Sequence, residues 1–217
     1  MLLLAATPLA RDFGGRLHPV FAGAPEHLIY PLQTLLCGGL LLFFGRRYDC
    51  RQVAKIGFTL GVALCIFAIW ISPQFIFHAA PRLEGFDPTL FAHNRPLFTT
   101  VLALRFLRLV LVVPLLEEIF WRGFLLRDLM DRDFEKVPVG AYSAFSCWTV
   151  TFFFGLAHWG AGTWPPGPDF VPAFVAGLLF NYVAYRTRSL GSCILAHAAT
   201  NLLLGIYIVQ TGQWGFW

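Results

Sequence analysis

Two adjacent acids and an arginine interrupt an apolar stretch in the middle of the chain. Glu117, Glu118 and Arg122 lie within residues 104–126, which are mostly apolar. Ionisable side chains at membrane depth are costly unless they are paired or face a wet cavity, so they mark a candidate functional site. Glu118 and Arg122 can pair along one helical face, whereas Glu117 is rotated by about 100° and is free to activate water. The alternative is a solvated helix end just outside the bilayer.

Two histidines in later apolar stretches could complete the chemistry. His158 follows Phe154 by four residues and Asn201 follows His197 by four, so each pair shares a helical face. A lone histidine on such a face is more often a hydrogen-bonded core residue, but several polar groups in lipid need one another, which predicts a shared cavity. A carboxylate and an imidazole around one water make a general base. A second histidine with an asparagine could stabilise an oxyanion, which suits amide hydrolysis.

Other chemistries are less well supported by the spacing. Glu117, His158 and His197 are possible zinc ligands, but the chain has no HExxH motif that would predict a particular metal. No serine lies in a nucleophile elbow, which argues against a serine hydrolase. The five cysteines are scattered without a CxxC pair, and we expect them to be small packing residues.

The composition indicates a membrane protein. Of 217 residues, 57% are hydrophobic and 13% are charged, against about 25% charged residues in soluble domains. We predict an all-α, polytopic transmembrane helix bundle with the active site in a cavity between helices. Residues 1–27 are a partly apolar N-terminal segment, and residues 28–217 are one membrane domain with a motif-bearing core at 97–210. The basic residues lie in short loops, so the net charge of +4 does not predict a nucleic-acid partner.

Hydropathy predicts about six spans near the ~20 residues that a bilayer requires. They cover residues 28–45, 56–77, 97–126, 141–159, 170–185 and 190–210. Pro114 is expected to kink the third span, because it cannot donate a backbone hydrogen bond. The positive-inside rule places both termini outside, since one set of alternating loops carries most of the 16 basic residues. That set contains Arg46, Arg47, Arg51, Lys55, Arg122, Arg127, Arg132, Lys136, Arg186 and Arg188, and the opposite set contains Arg11, Arg16, Arg82 and Arg95.

Some polar residues are not assigned to the catalytic group. Arg105 and Arg108 fall inside the third span. In a straight helix Arg108 shares the stripe of Arg122, and we hypothesise that it binds a peptide carboxylate or a lipid headgroup. Asn181 in the fifth span could pack helices or line a cavity. The remaining histidines are expected to be solvated in loops; they are His18, His27, His78 and His93.

Three motifs resemble those of one membrane protease family. EEIFWR fits EExxxR, FGLAH fits FxxxH and HAATN fits HxxxN, the motifs of the CPBP family, also called Abi or type II CAAX prenyl endopeptidase-like proteins. They occur in the family order on separate apolar spans, from Glu117 to Asn201. Pro114 and the run WRGFLLR also resemble the bacterial subfamily linked to exosortase and PEP-CTERM sorting.

The resemblance implies an intramembrane endopeptidase in the bacterial inner (cytoplasmic) membrane. Its substrate would be a membrane-associated protein or peptide in the lipid bilayer, with a link to a protein-sorting system. Glu117 and His158 would activate water, and His197 and Asn201 would stabilise the oxyanion. Family members are described both as metalloproteases and as metal-free, glutamate-dependent enzymes, so a divalent cofactor such as zinc is an open question.

By the same resemblance, Glu118 and Arg122 would form a supporting pair.

The rival function is a non-catalytic membrane partner, such as a bacteriocin self-immunity or assembly factor, in which the polar cluster only holds helices together. A proton-coupled transporter would also use buried ionisable residues, but the sequence lacks the repeats expected of many transporters. The complete motif set favours the protease.

Overall fold

The computed structural model of the protein describes residues 7–17, 19–159 and 167–217. These residues form a helical bundle. Two short helices, α1 (Thr7–Leu17) and α2 (Pro19–Gly23), precede the apolar helices. These are α3 (Glu26–Phe44), α4 (Ile56–Ile76), the long α5 (Arg95–Asp128), α6 (Ala144–Ala157), α7 (Phe170–Thr187) and α8 (Leu190–Thr211). The predicted all-α, polytopic bundle is confirmed.

The predicted spans correspond to α3–α8, although they differ in length. Within the described residues, four helical stretches are long and apolar enough to cross a membrane: Glu26–Arg47, Ile56–Ile76, Arg95–Asp128 and Leu190–Thr211. Helix α6 has only 14 residues, so at 1.5 Å per residue it is about 21 Å long, short of a hydrocarbon core of ~30 Å. The protein is therefore a multi-pass membrane protein in which the site-bearing α6 is shorter than a full span.

The core lies where α6, α7 and α8 pack together and against α4. Phe154 of α6 and Phe180 of α7 are almost fully buried there, as is Cys193 of α8. A Cβ atom at Gly177 would lie only 3.2 Å from the Phe154 ring, so this glycine lets α6 and α7 approach closely. Cys193 thus has the expected packing role, whereas Cys65 is exposed on α4.

Helix α5 contains two turns in which the hydrogen bonds reach one residue further than in an α-helix. These π turns cover Arg108–Val112 and Ile119–Leu125. In the first, the Val113 N–H donates to the carbonyl of Arg108, five residues back. Pro114 follows directly and has no N–H to donate. The irregularity expected at this proline is therefore a wider helical turn beside the candidate site.

One prediction about the N-terminal half is wrong. His27 lies inside α3 and is 2% exposed, not solvated in a loop. Its Nε2 is 3.0 Å from the carbonyl oxygen of Asp87, and its ring stacks on Phe86 at 4.0 Å. The helix begins earlier than the hydropathy suggested, and a loop covers its first turn. His78 and His93 are exposed, as expected; residues 1–6 and His18 lie outside the described residues.

Candidate active site

Three helices supply the predicted site residues. Helix α5 carries the EEIFWR motif, His158 ends α6, and α8 carries His197 and Asn201. Their side chains form two neighbouring groups rather than one shared cavity. Glu118 belongs to a buried polar network, whereas Glu117, the next residue in the chain, lines a cavity.

The buried polar network is centred on the ion pair predicted from the sequence. Glu118 and Arg122 are both 0% exposed, and Arg122 Nη1 donates to Glu118 Oε1 at 3.1 Å. His197 Nδ1 lies 2.8 Å from the same carboxylate oxygen. An ionised carboxylate only accepts hydrogen bonds, so His197 Nδ1 carries the proton here. The network therefore ties α5 to α8.

The remaining donors of Arg122 tie α5 to α7. Its Nε donates to Asn181 Oδ1 at 3.0 Å and its Nη2 to the Gly177 carbonyl at 2.9 Å. The Asn181 amide in turn donates to Thr151 Oγ1 at 3.0 Å, and the guanidinium lies 4.8 Å from the centre of the Phe154 ring. Sequence reasoning left Asn181 unassigned, although a buried amide in an apolar helix needs a partner.

Glu117 and His158 line a cavity of about 510 Å³ between α3, α4, α5, α6 and the C-terminal residues. Glu117 Oε2 is buried and has no hydrogen-bond partner among the described residues. A buried acceptor without a protein partner is expected to bind water if the space admits one. The cavity is large enough, so Glu117 is placed to hold a water molecule.

His158 is oriented by the first residue of its own motif. Its Nδ1 lies 2.8 Å from the carbonyl oxygen of Phe154. A carbonyl only accepts, so Nδ1 donates, and Nε2 is the ring nitrogen left to face the cavity chemistry. The Trp70 ring contacts the His158 ring edge-on, with 6.1 Å between the ring centres, and covers one side of the histidine. The FxxxH spacing therefore fixes which ring nitrogen can take a proton.

His197 and Asn201 are not among the described residues that line this cavity. The His197 ring is stacked on Phe180 at 4.9 Å. Asn201 Nδ2 donates to the Leu109 carbonyl at 2.8 Å. In the register of the π turn that carbonyl would accept from residue 114, which is proline, so Asn201 replaces the missing backbone donor. Their oxyanion role stays a prediction.

Arg105 and Arg108 also line the cavity. In an ideal α-helix Arg108 and Glu117 would point about 180° apart, and Arg105 and Glu117 about 120° apart. The extra residue in the first π turn reduces these angles to about 80° and about 20°. Arg108 consequently faces the cavity of Glu117 and does not share the stripe of Arg122, as it would in a straight helix.

Residues 98–203 match the model of the family described as type II CAAX prenyl endopeptidase Rce1-like. This segment is similar to the Rce1-like family. It contains all three motifs, and the predicted resemblance to the CPBP family is confirmed. The match supports a resemblance to a membrane protease family and does not single out the exosortase-linked subfamily. No curated protein and no solved structure matches the chain.

The described residues do not bring together the three zinc ligands that the sequence allowed. No group of three His, Cys, Asp or Glu side chains suited to a metal is found in residues 7–17, 19–159 and 167–217. Glu117 and His158 line the cavity, but His197 turns its Nδ1 to Glu118. A catalytic zinc site needs three protein ligands around one open position. The metalloprotease assignment is not supported by this arrangement.

Asn201→Leu is expected to lower the free energy of unfolding of the protein by about 1–3 kcal/mol, because the Leu109 carbonyl loses its donor. Thermal unfolding in detergent measures the change. Pro114→Ala in the same chain restores a backbone N–H and should recover part of the loss. Equal stability of Asn201→Leu and wild type, or no recovery in the double variant, would contradict this account of Asn201.

Proposed function

We propose that the protein is an intramembrane endopeptidase that hydrolyses a peptide bond with water activated by Glu117 and His158. The observation that supports this most directly is the shared cavity of these two side chains. Glu117 offers a buried oxygen with no partner in the described part of the chain. His158 offers the unprotonated Nε2, since its Nδ1 donates to Phe154. A carboxylate and an imidazole on one water provide general-base catalysis.

In the proposed reaction the water molecule is held by Glu117 with His158 beside it. Its oxygen attacks the carbonyl carbon of the scissile bond while its proton passes to the Glu117 carboxylate. The tetrahedral intermediate then collapses, the C–N bond breaks, and the protonated base delivers its proton to the leaving nitrogen. One water is consumed, and the products are a new carboxylate end and a new amine end.

The buried polar network supports the proposed site by fixing Glu118. Because Glu118 is held by Arg122 and His197, the backbone that carries Glu117 has little freedom to rotate. We assign oxyanion stabilisation to His197 and Asn201, as the family motifs suggest. The second amide hydrogen of Asn201 and the Nε2 side of the His197 ring are left for this role, since the first amide hydrogen and Nδ1 are already used.

The proposed substrates are membrane-associated proteins or peptides, since the protein itself is embedded in the bilayer. Location in the bacterial inner membrane, and a substrate that comes from a protein-sorting system, are further parts of the proposal. The resemblance of the segment around Glu117 to the exosortase-linked subfamily supports them. The family name refers to prenylated substrates, and we assign no residue of this chain to a prenyl group.

The purified full-length protein in detergent is expected to cleave members of a transmembrane peptide library, and to do so equally with and without a chelator. The reason is that Glu117 and His158 line one cavity, but no third His, Cys, Asp or Glu among the described residues is close enough to complete a metal site with them. Peptide mass spectrometry of the products provides the measurement. Loss of cleavage on chelation with recovery on added zinc would overturn the metal-free mechanism. A complete lack of cleavage would favour the non-catalytic partner.

A further inference from the structure

Two arginines in the cavity have no role in the proposed hydrolysis. Arg105 is 8% exposed, and Arg108 is half-buried. Arg105 Nε and Arg108 Nη1 are both buried, and neither atom has a hydrogen-bond partner within the described ranges. Arginine is rarely this buried unless it is paired. The unused donors therefore indicate a missing acceptor.

The immediate neighbours of these guanidinium groups are aromatic. The Tyr30 ring centre lies 4.9 Å from the guanidinium of Arg105 and 4.2 Å from that of Arg108. Phe86 and Trp217 also lie against Arg105, at 4.9 and 5.5 Å. Aromatic faces attract cations without neutralising them or accepting a conventional hydrogen bond. They hold the two arginines in place while leaving both charges uncompensated.

The formal charges of the side chains around the cavity would be balanced by one additional anion. The carboxylates among its described lining residues are those of Glu117 and Asp169. Both oxygens of Asp169 accept from the guanidinium of Arg82, at 2.6 and 2.7 Å, so this acid is already paired. Glu117 alone then faces Arg105 and Arg108. The formal charges of these side chains leave one positive charge in excess, in a cavity that is partly lined by aromatic rings.

We propose that Arg105 and Arg108 form a carboxylate-binding subsite that positions the peptide substrate. The subsite rests on the proposed function, because it places a substrate carboxylate in the cavity that holds Glu117 and His158. Guanidinium groups bind carboxylates through paired, charge-assisted hydrogen bonds, which suits the two unused donors. The carboxylate is either the C-terminus of the substrate or the side chain of an acidic residue near the cleaved bond.

The test measures binding rather than turnover. The full-length protein carries His158→Ala, which is expected to block hydrolysis and leaves Glu117, Arg105 and Arg108 in place. Three dansylated oligoleucine probes are compared in detergent: one with a free C-terminus, its C-terminal amide, and the amide with one internal Glu. At least one acidic probe is expected to bind about tenfold or more tightly than the plain amide. Which acidic probe binds best identifies the source of the carboxylate.

The preference must depend on the two arginines. Adding Arg108→Gln should make the acidic and amide probes bind equally, whereas Arg105→Lys, which keeps the charge but loses the forked geometry, should reduce the ratio in part. Arg95→Gln is the matched control, because Arg95 is an exposed arginine on the same helix. It should leave the ratio unchanged. Equal binding of all probes, or equal weakening of all of them by Arg108→Gln, would overturn the subsite.

A lipid headgroup is the competing anion. Adding phosphatidylglycerol, with phosphatidylcholine as the neutral comparison, should leave the preference for the acidic probe in place. If phosphatidylglycerol removes it, the arginines bind lipid and the proposal fails. The experiments also distinguish failure of the subsite from failure of the proposed protease function. Cleavage by the wild type without any preference for a carboxylate removes only the subsite, and preference without cleavage removes only the protease.

Discussion

Glu117→Gln is expected to lower the kcat of peptide hydrolysis by about a hundredfold or more, which is the usual contribution of a general base. The amide keeps the size of the side chain and can still hold water, but it cannot take a proton. In the wild type, Glu117 Oε2 has no hydrogen-bond partner among the described residues, so the substitution breaks no protein contact of this atom. The fold should therefore be preserved, and thermal unfolding of the variant should match that of the wild type.

The neighbouring residue gives a sharp comparison for this result. Glu118→Gln alters a carboxylate that accepts from both Arg122 and His197, so it should reduce stability as well as activity. His158→Ala should resemble Glu117→Gln, with lost turnover and retained stability. If Glu117→Gln cleaves at close to the wild-type rate, Glu117 is not the base. A large loss of stability in both Glu117→Gln and His158→Ala, without cleavage by any form, would support the helix-stapling function.

Arg122→Gln is expected to reduce the free energy of unfolding by about 3–5 kcal/mol, because it leaves Glu118 as an uncompensated buried charge. Both side chains are 0% exposed, and Arg122 also donates to Asn181 and to the Gly177 carbonyl. A single substitution thus removes a charge pair and two hydrogen bonds that join α5 to α7. Denaturant unfolding in mixed micelles measures the loss.

The control and the double variant separate charge from packing. Arg132 has a side chain that is 94% exposed, so Arg132→Gln should change stability by no more than about 0.5 kcal/mol. Combining Glu118→Gln with Arg122→Gln removes both charges and should cost less than Arg122→Gln alone. If Arg122→Gln is as stable as Arg132→Gln, the buried ion pair contributes nothing measurable. If the double variant loses the sum of the two single effects, the two residues act independently.

The features that could be predicted from the sequence are those governed by hydropathy and by short helical spacing. The apolar helices fall where the hydropathy indicated, because the bilayer requires long apolar segments. The contact between Glu118 and Arg122 follows from their separation of four residues. The orientation of His158 also has a local origin, since its partner is the carbonyl of Phe154, one turn earlier.

The features that could not be predicted depend on irregular helix geometry or on contacts between distant segments. A period of 3.6 residues does not predict a π turn, so the direction expected for Arg108 in a straight helix differs from the observed one by about one residue of rotation. The bond from Asn181 to Arg122 joins residues on different helices. His27 is buried because a loop far along the chain closes over it. None of these contacts leaves a local pattern in the sequence.

The first π turn in α5 also has an evolutionary consequence. It is equivalent to one additional residue in an otherwise regular helix, and such a residue corresponds to a single codon. Its deletion would return the stretch Arg108–Val112 to an α-helical register and swing Arg105 away from Glu117 by about 100°. Glu117, His158 and the buried ion pair lie after this point and would keep their mutual arrangement. Under the proposals made above, an in-frame change of one codon would alter the carboxylate-binding subsite while the groups proposed to carry out hydrolysis stay the same.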